Sequence, residues 1–268
     1  MPTLGPLLRA AYFSARKRTE LLLLLAVFAG LLASIFYTPA LTAIVELVTA
    51  ASETTTDDKS ITSLGEQAVA YLPTLLLGQL TLFVISGFLL PFWARASSPA
   101  GLIPLEKNSD GFLRRGALGF LHLLTAALLT LISLVIIIML ASLLGFAGAS
   151  GGFGIMIALG FGIWLSVYFS AAAHTAIIAA ATDQKMTFSQ AIIKNRPVLR
   201  PIVGTLAIIW FGSIAADAMF ESILTTAFGG LPPFTILAFM KGAFGLLVSA
   251  LHISVLMQLL NFTTAEQP

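Results

Sequence analysis

Cysteine is absent from the 268-residue chain, which excludes disulfides, thiolate metal sites and cysteine nucleophiles while leaving the compartment open. Charge is scarce. Asp, Glu, Lys and Arg make up 10% of the residues and hydrophobic side chains 58%, where an ordinary soluble domain carries roughly 25% charge. Neither sign dominates, with 14 basic against 12 acidic residues. The basic residues fall in short loops, where membrane topology explains them better than nucleic acid does. From Gly116 to Thr182 there is no Asp, Glu, Lys or Arg at all. No zincin motif, phosphate-cradling glycine loop or dinucleotide fingerprint occurs.

What is present is a series of long apolar runs. A bilayer core is crossed by about 20 helical residues, and Leu21–Val45 and Gln67–Ala94 both exceed that. The uncharged stretch is long enough for two spans, Ala117–Phe146 and Phe153–Ala181, folded at the glycine-rich "GFAGASGGFG". Two more runs, 201–228 and 234–262, flank "GGLPPF". The expected fold is all-α: one polytopic membrane domain over residues 1–268, with six transmembrane helices as three hairpins. The start, "MPTLGPLLRAAYFSARKR", lacks a small-residue cleavage site after a short apolar region and is not expected to be a secretory signal.

Basic residues set the expected orientation, because Lys and Arg are retained on the cytoplasmic side. Twelve of the 14 lie before span one, between spans two and three, or between spans four and five. Both termini are therefore expected in the cytoplasm of a bacterial inner membrane. The external segment "ELVTAASETTTDDKSITSLGE" is acidic and rich in Ser and Thr, and is expected to be a solvated loop.

Each hairpin follows a basic segment with interleaved apolar residues: "LGPLLRAAYFSARKR", "DGFLRRGALGF" and "MTFSQAIIKNRPVLRP". Short amphipathic helices in the membrane interface are the natural reading. The third has a helix start of its own, since Thr187 as N-cap and Gln190 three residues later form a capping box, and Pro197 should end that helix.

Six spans, the lead-in "PLLRAAYFSARKR" and the connection "AAATDQKMTFSQAIIKNRPVLRPIVGTLAII" resemble a loose group of bacterial inner-membrane proteins. That group includes the membrane domains attached to some glycerophosphodiester phosphodiesterases. The resemblance implies the fold. It brings no catalytic residues to carry over.

Within span five, Ser213, Asp217, Glu221 and Thr225 recur every four residues and form one stripe. Span six offers Lys241, Gly245, Ser249 and His252. A tight turn near Gly230 pairs antiparallel positions so that Glu221 faces Lys241 and Asp217 faces Gly245. Counting from that turn puts Asp217 near the bilayer middle. Asp217 is then a surplus carboxylate, protonated or facing water or a cation. Three uses are open: a clamp between the two spans, a proton or cation site in a solute pathway, or snorkelling to the external interface.

Span four carries a ladder, Gly154, Ala158, Gly162, Ser166 and Ser170, whose small residues suit close helix packing. His122, His174 and His252 fall at similar depth and could in principle hold a metal or haem, but they lack ligand spacing and read first as core histidines. "GASGG" at Gly148–Gly152 matches G-x-S-x-G, which would make Ser150 the nucleophile of an intramembrane serine protease. Counting helical rise separates Ser150 from His252 by the thickness of the membrane, so the motif reads as a turn. No cofactor is expected. The expected surroundings are the lipid bilayer and protein partners within it. The leading functional expectation is a transport-like, non-enzymatic protein, with a scaffold or accessory subunit as the alternative.

Overall fold

The computed structural model describes residue 16 and residues 18–53, 58–97, 109–143, 151–182 and 184–265. These residues form eight α-helices and one short 3-10 turn: α1 (Thr19–Phe36), α2 (Thr38–Glu53), α3 (Asp58–Ala96), α4 (Ser109–Leu143), α5 (Gly151–Ala181), α6 (Phe188–Asn195), the 3-10 turn Arg196–Val198, α7 (Leu199–Phe228) and α8 (Phe234–Ala265). Six helical segments are long and apolar enough to cross a membrane, namely Thr19–Phe36, Glu66–Ala96, Gly111–Ile137, Gly160–Ala181, Phe188–Phe228 and Phe234–Leu260. The protein is an all-α, multi-pass membrane protein. In hydrocarbon every backbone N–H and C=O must be satisfied within the segment, and a helix does so without an edge.

The first span departs from the sequence expectation. Leu21–Val45 is divided at Tyr37, between α1 and α2. Pro39 supplies no N–H to the turn before it and crowds that turn's carbonyl. Ser34, Thr38 and Thr42 add to the effect, each donating its hydroxyl to a backbone carbonyl three or four residues back, a pattern that bends helices. The acidic external segment also differs. It is helical on both sides of residues 54–57, as the end of α2 and the start of α3. Ala, Leu and Glu in "ALTAIVELVTAASE" are good helix formers, and they outweigh the Thr and Ser on which the loop reading rested.

The third basic segment folds as expected. Thr187 Oγ1 accepts from Gln190 N at 3.2 Å, and Thr187 N donates to Gln190 Oε1 at 2.8 Å. At Pro197 the α-helix gives way to the 3-10 turn. The inner face of α6 is buried: Ala191 packs with Ala172 and Ala176 of α5, and Phe188 and Ile192 cover that cluster.

The chain divides into two compact units. Unit 1 comprises Met1–Thr19, Gly87–Ser213 and Val248–Pro268; unit 2 comprises Glu20–Ser86 and Ile214–Leu247. Unit 1 is centred on two segments buried on every side, 171–181 of α5 and 252–257 of α8. Trp93 of α3, also buried, donates its indole N–H to Ala250 O at 2.9 Å and Ser254 Oγ at 3.1 Å. That fixes α3 on α8 within this unit, because an indole N–H left unmet in such a place would be costly. Gly87 of α3 and Gly119 of α4 bring their backbones together: a Cβ on Gly87 would lie 2.5 Å from Phe120 N.

Unit 2 is held by small residues on α1. Ala26, Ala29, Gly30 and Ala33 form a buried stripe. A Cβ on Gly30 would come within 2.8 Å of the Phe239 ring, and one on Gly242 within 2.8 Å of Ala29 O. Small residues every fourth position let helices meet where lipid gives apolar side chains no drive to associate. Tyr71 of α3 donates its hydroxyl to the Glu46 carboxylate of α2.

Candidate functional site

The charged residues that sequence places in spans five and six come together in unit 2. Lys241 Nζ of α8 donates to Asp217 Oδ2 of α7 and pairs with Glu221 Oε1 at 2.7 Å. The expected Glu221–Lys241 pair is present. The expectation that Asp217 is a carboxylate without a partner is corrected. Asp217 and Glu221 lie one turn apart on the same face of α7, and the flexible four-carbon stem of lysine lets one ammonium reach both. Two carboxylates against one ammonium leave the triad with a formal surplus of one negative charge.

The triad is not enclosed. Lys241 and Asp217 are 32% and 31% exposed at the side chain and Glu221 48%. One turn from Lys241, Gly245 is exposed, and a Cβ there would meet nothing within 4 Å. Neighbouring outward positions on α7 are apolar, with Ile214, Met219, Phe220 and Ile223 all exposed. With 30 residues, α7 is about 45 Å long against a hydrocarbon core of about 30 Å. If Arg200 is held at the basic interface, Asp217 lies about 26 Å along the helix from it and Glu221 about 32 Å. The triad then belongs to the half of the membrane opposite the basic loops.

The remaining members of the stripe do not join it. Ser213 and Ser249 belong to unit 1, and Ser213 Oγ donates to Trp210 O at 2.7 Å within its own helix. Thr225 is exposed near the end of α7. Phe220 stands edge-on to Phe244 with centroids 6.2 Å apart, which supports the α7–α8 hairpin beside the triad.

In unit 1, His174 and His252 meet with ring centroids 5.5 Å apart at 70°. Ser170 Oγ lies 3.3 Å from His174 Nδ1, while Nε2 of both histidines is buried without a hydrogen-bond partner among the described residues. His122 stands apart from this pair, on the wall of a cleft described below. Two imidazoles fall short of a closed tetrahedral site, and no group of three His, Cys, Asp or Glu that could hold a metal gathers among the described residues. Depth reckoned along the helices found the His174–His252 neighbourhood; it carries no information on which way a helix faces.

The span-four ladder is divided in use. A Cβ on Gly162 would strike Leu134 Cδ2 of α4, so packing at that rung is close. Ser166 Oγ turns back to Gly162 O at 2.9 Å, and Ser170 serves His174. The side chains of Gly154 and Ala158 lie outside the described residues, as do Ser150 and the segment 144–150 of the G-x-S-x-G turn. Sequence reasoning missed two close helix crossings, Gly87 with Gly119 and Gly30 with Phe239, although Ala26–Gly30 and Ala238–Gly242 carry the small-residue spacing that marks the second. Compared with protein families, with curated proteins and with solved structures, the chain finds no match.

Proposed function

We propose that this multi-pass protein is a non-enzymatic, transport-like component of a bacterial inner membrane, with Asp217, Glu221 and Lys241 as its charge-handling element. The observation that carries the reading is a triad with one surplus negative charge, a third to a half exposed, beside open space at Gly245. A carboxylate facing lipid costs on the order of 2.5–3.5 kcal/mol at the bilayer centre even on the lenient insertion scale. A surplus charge with that exposure is stabilised by water, a cation or a proton. Lys241 can stay with one carboxylate while the other takes up a cation or proton, so the site changes load without ever leaving the ammonium alone.

The test is flux in proteoliposomes, followed with a pH-sensitive dye under an imposed proton or sodium gradient. Asp217→Asn should fold with an unchanged thermal midpoint and lose the flux. A wild-type protein with no flux, or a variant that keeps it, would overturn the transport reading. The scaffold alternative would then stand on the exposed aromatic row of α5, where Phe161, Trp164 and Tyr168 stack with centroids 5.6 Å apart, a surface suited to a neighbouring membrane protein.

The proposed orientation has its own check. With both termini and α6 in the cytoplasm, an impermeant thiol reagent added outside should label a cysteine introduced near Thr55 and spare one at Ser189. The reverse pattern would invert the topology.

A further inference from the structure

The basic residues that sequence explains by topology alone converge in unit 1. On α4, Gly111, Arg114, Leu118 and His122 recur three or four residues apart along one face, and Arg115 lines the same cleft from beside Arg114. That face forms one wall of a cleft of about 770 Å³. The opposite wall is the turn from α5 into α6, including Gln184, Lys185 and Gln190. A helix face and a turn far apart in sequence, each basic in its own right, thus border one space whose size is that of a small-molecule site.

The chemistry of the walls is selective. Three cations and one histidine line the cleft, and among the described residues no Asp or Glu does. Arg115 and His122 are 8% and 7% exposed, whereas Arg114 and Lys185 are exposed. Among the described residues no hydrogen bond or ion pair ties down Arg114, His122 or Lys185; Arg115 has an interaction of its own and contributes wall charge. Basic segments that only fix topology have no reason to converge on a shared concavity with a histidine at its wall. Beside the cleft, Phe112, Leu113 and Leu121 of α4 and Ile193 of α6 are exposed and apolar.

We infer that this cleft binds a phosphate group, presented by an anionic lipid headgroup or by a soluble phosphate compound, with the Arg114 guanidinium and the Lys185 ammonium as its principal donors. A guanidinium matches two phosphate oxygens at once, and lysine adds a mobile point charge. Gln184 and Gln190 supply neutral amide donors. The inference is independent of the charged triad, which lies in unit 2.

The experiment measures binding to the purified full-length protein by calorimetry, with inorganic phosphate and dihexanoyl phosphatidic acid as probes and dihexanoyl phosphatidylcholine as the zwitterionic reference. Arg114→Gln/Lys185→Gln should weaken the binding at least tenfold. Lys194→Gln/Arg200→Gln removes the same net charge from outside the cleft and should leave affinity within about twofold. Phosphate that binds and displaces the lipid would assign a soluble source; phosphatidic acid binding alone would assign a headgroup. Equal losses in the two double variants would reduce the effect to bulk attraction and overturn the inference, as would no binding of either anionic probe. Should the cleft double variant not fold, Lys185→Gln alone, on an exposed turn, should still weaken binding about threefold, and an unchanged affinity there overturns it equally.

Discussion

Gly87→Leu should strongly destabilise unit 1. A Cβ at that position would sit 2.5 Å from Phe120 N and 2.7 Å from its Cα, and these are backbone atoms of α4 that no rotamer change can move. Gly119 answers from the other side, where a Cβ would strike Gly87 O. Overpacking a well-filled contact costs typically about 1–3 kcal/mol, and more where backbone must shift, so Gly87→Leu belongs at or beyond the upper end. Gly162→Leu belongs within that range, because the atom in its way is Leu134 Cδ2, the far end of a flexible side chain. Gly160, which is exposed with nothing within 4 Å of a Cβ, should accept leucine without penalty. Thermal midpoints and the yield of monodisperse protein in detergent should therefore fall in the order Gly160→Leu, Gly162→Leu, Gly87→Leu. A Gly87→Leu protein as stable as Gly160→Leu would mean that the α3–α4 crossing does not exist.

That gradient shows where sequence was informative. The six spans were legible because lipid imposes a minimum apolar length on any crossing helix, and the start of α6 because a capping box is a local device contained within four residues. The kink at Tyr37 was also local, with Pro39 as its signal, but a continuous apolar run concealed it. The helical ends flanking residues 54–57 were misread because Ser and Thr content was weighed above the Ala, Leu and Glu around them. Partner choice between helices was less legible. Small residues recur on α1, α3, α4, α5 and α8, and spacing alone does not say which stripe meets which.

The charged residues divide in the same way. Glu221 was matched to Lys241 by counting through a tight turn, which fixes backbone register. The second bond, to Asp217, depends on the reach of a lysine side chain, and register does not contain that. The His174–His252 contact needed the facing of α5 and α8 as well as their depth. The basic cleft needed most: Arg114, near the start of α4, and Lys185, in the turn before α6, belong to separate basic segments, each sufficiently explained by topology, and only the packing of α4 beside the end of α5 gives them a common space. Local chemistry and bilayer thickness were thus readable from the chain, whereas sites assembled from distant segments were not.

Lys241→Met should lower the thermal midpoint markedly, because it leaves Asp217 and Glu221 one turn apart with no cation between them. The cost is bounded by the 2.5–3.5 kcal/mol or so that an unpaired charge meets at the bilayer centre, and it is smaller here because the triad is a third to a half exposed. Removing charge in steps should restore stability in steps. Lys241→Met with Glu221→Gln still leaves Asp217 unpaired and should recover only part of the loss. Adding Asp217→Asn removes the last charge and should return the midpoint close to wild type, as replacing a whole ion-pair group by neutral residues often does. Glu221→Gln alone should be nearly silent, since Asp217 keeps Lys241 engaged and the surplus charge disappears. A double variant no better than Lys241→Met would mean that Glu221 and Lys241 are not coupled in the membrane, and that the ammonium instead extends to the external interface on its flexible stem.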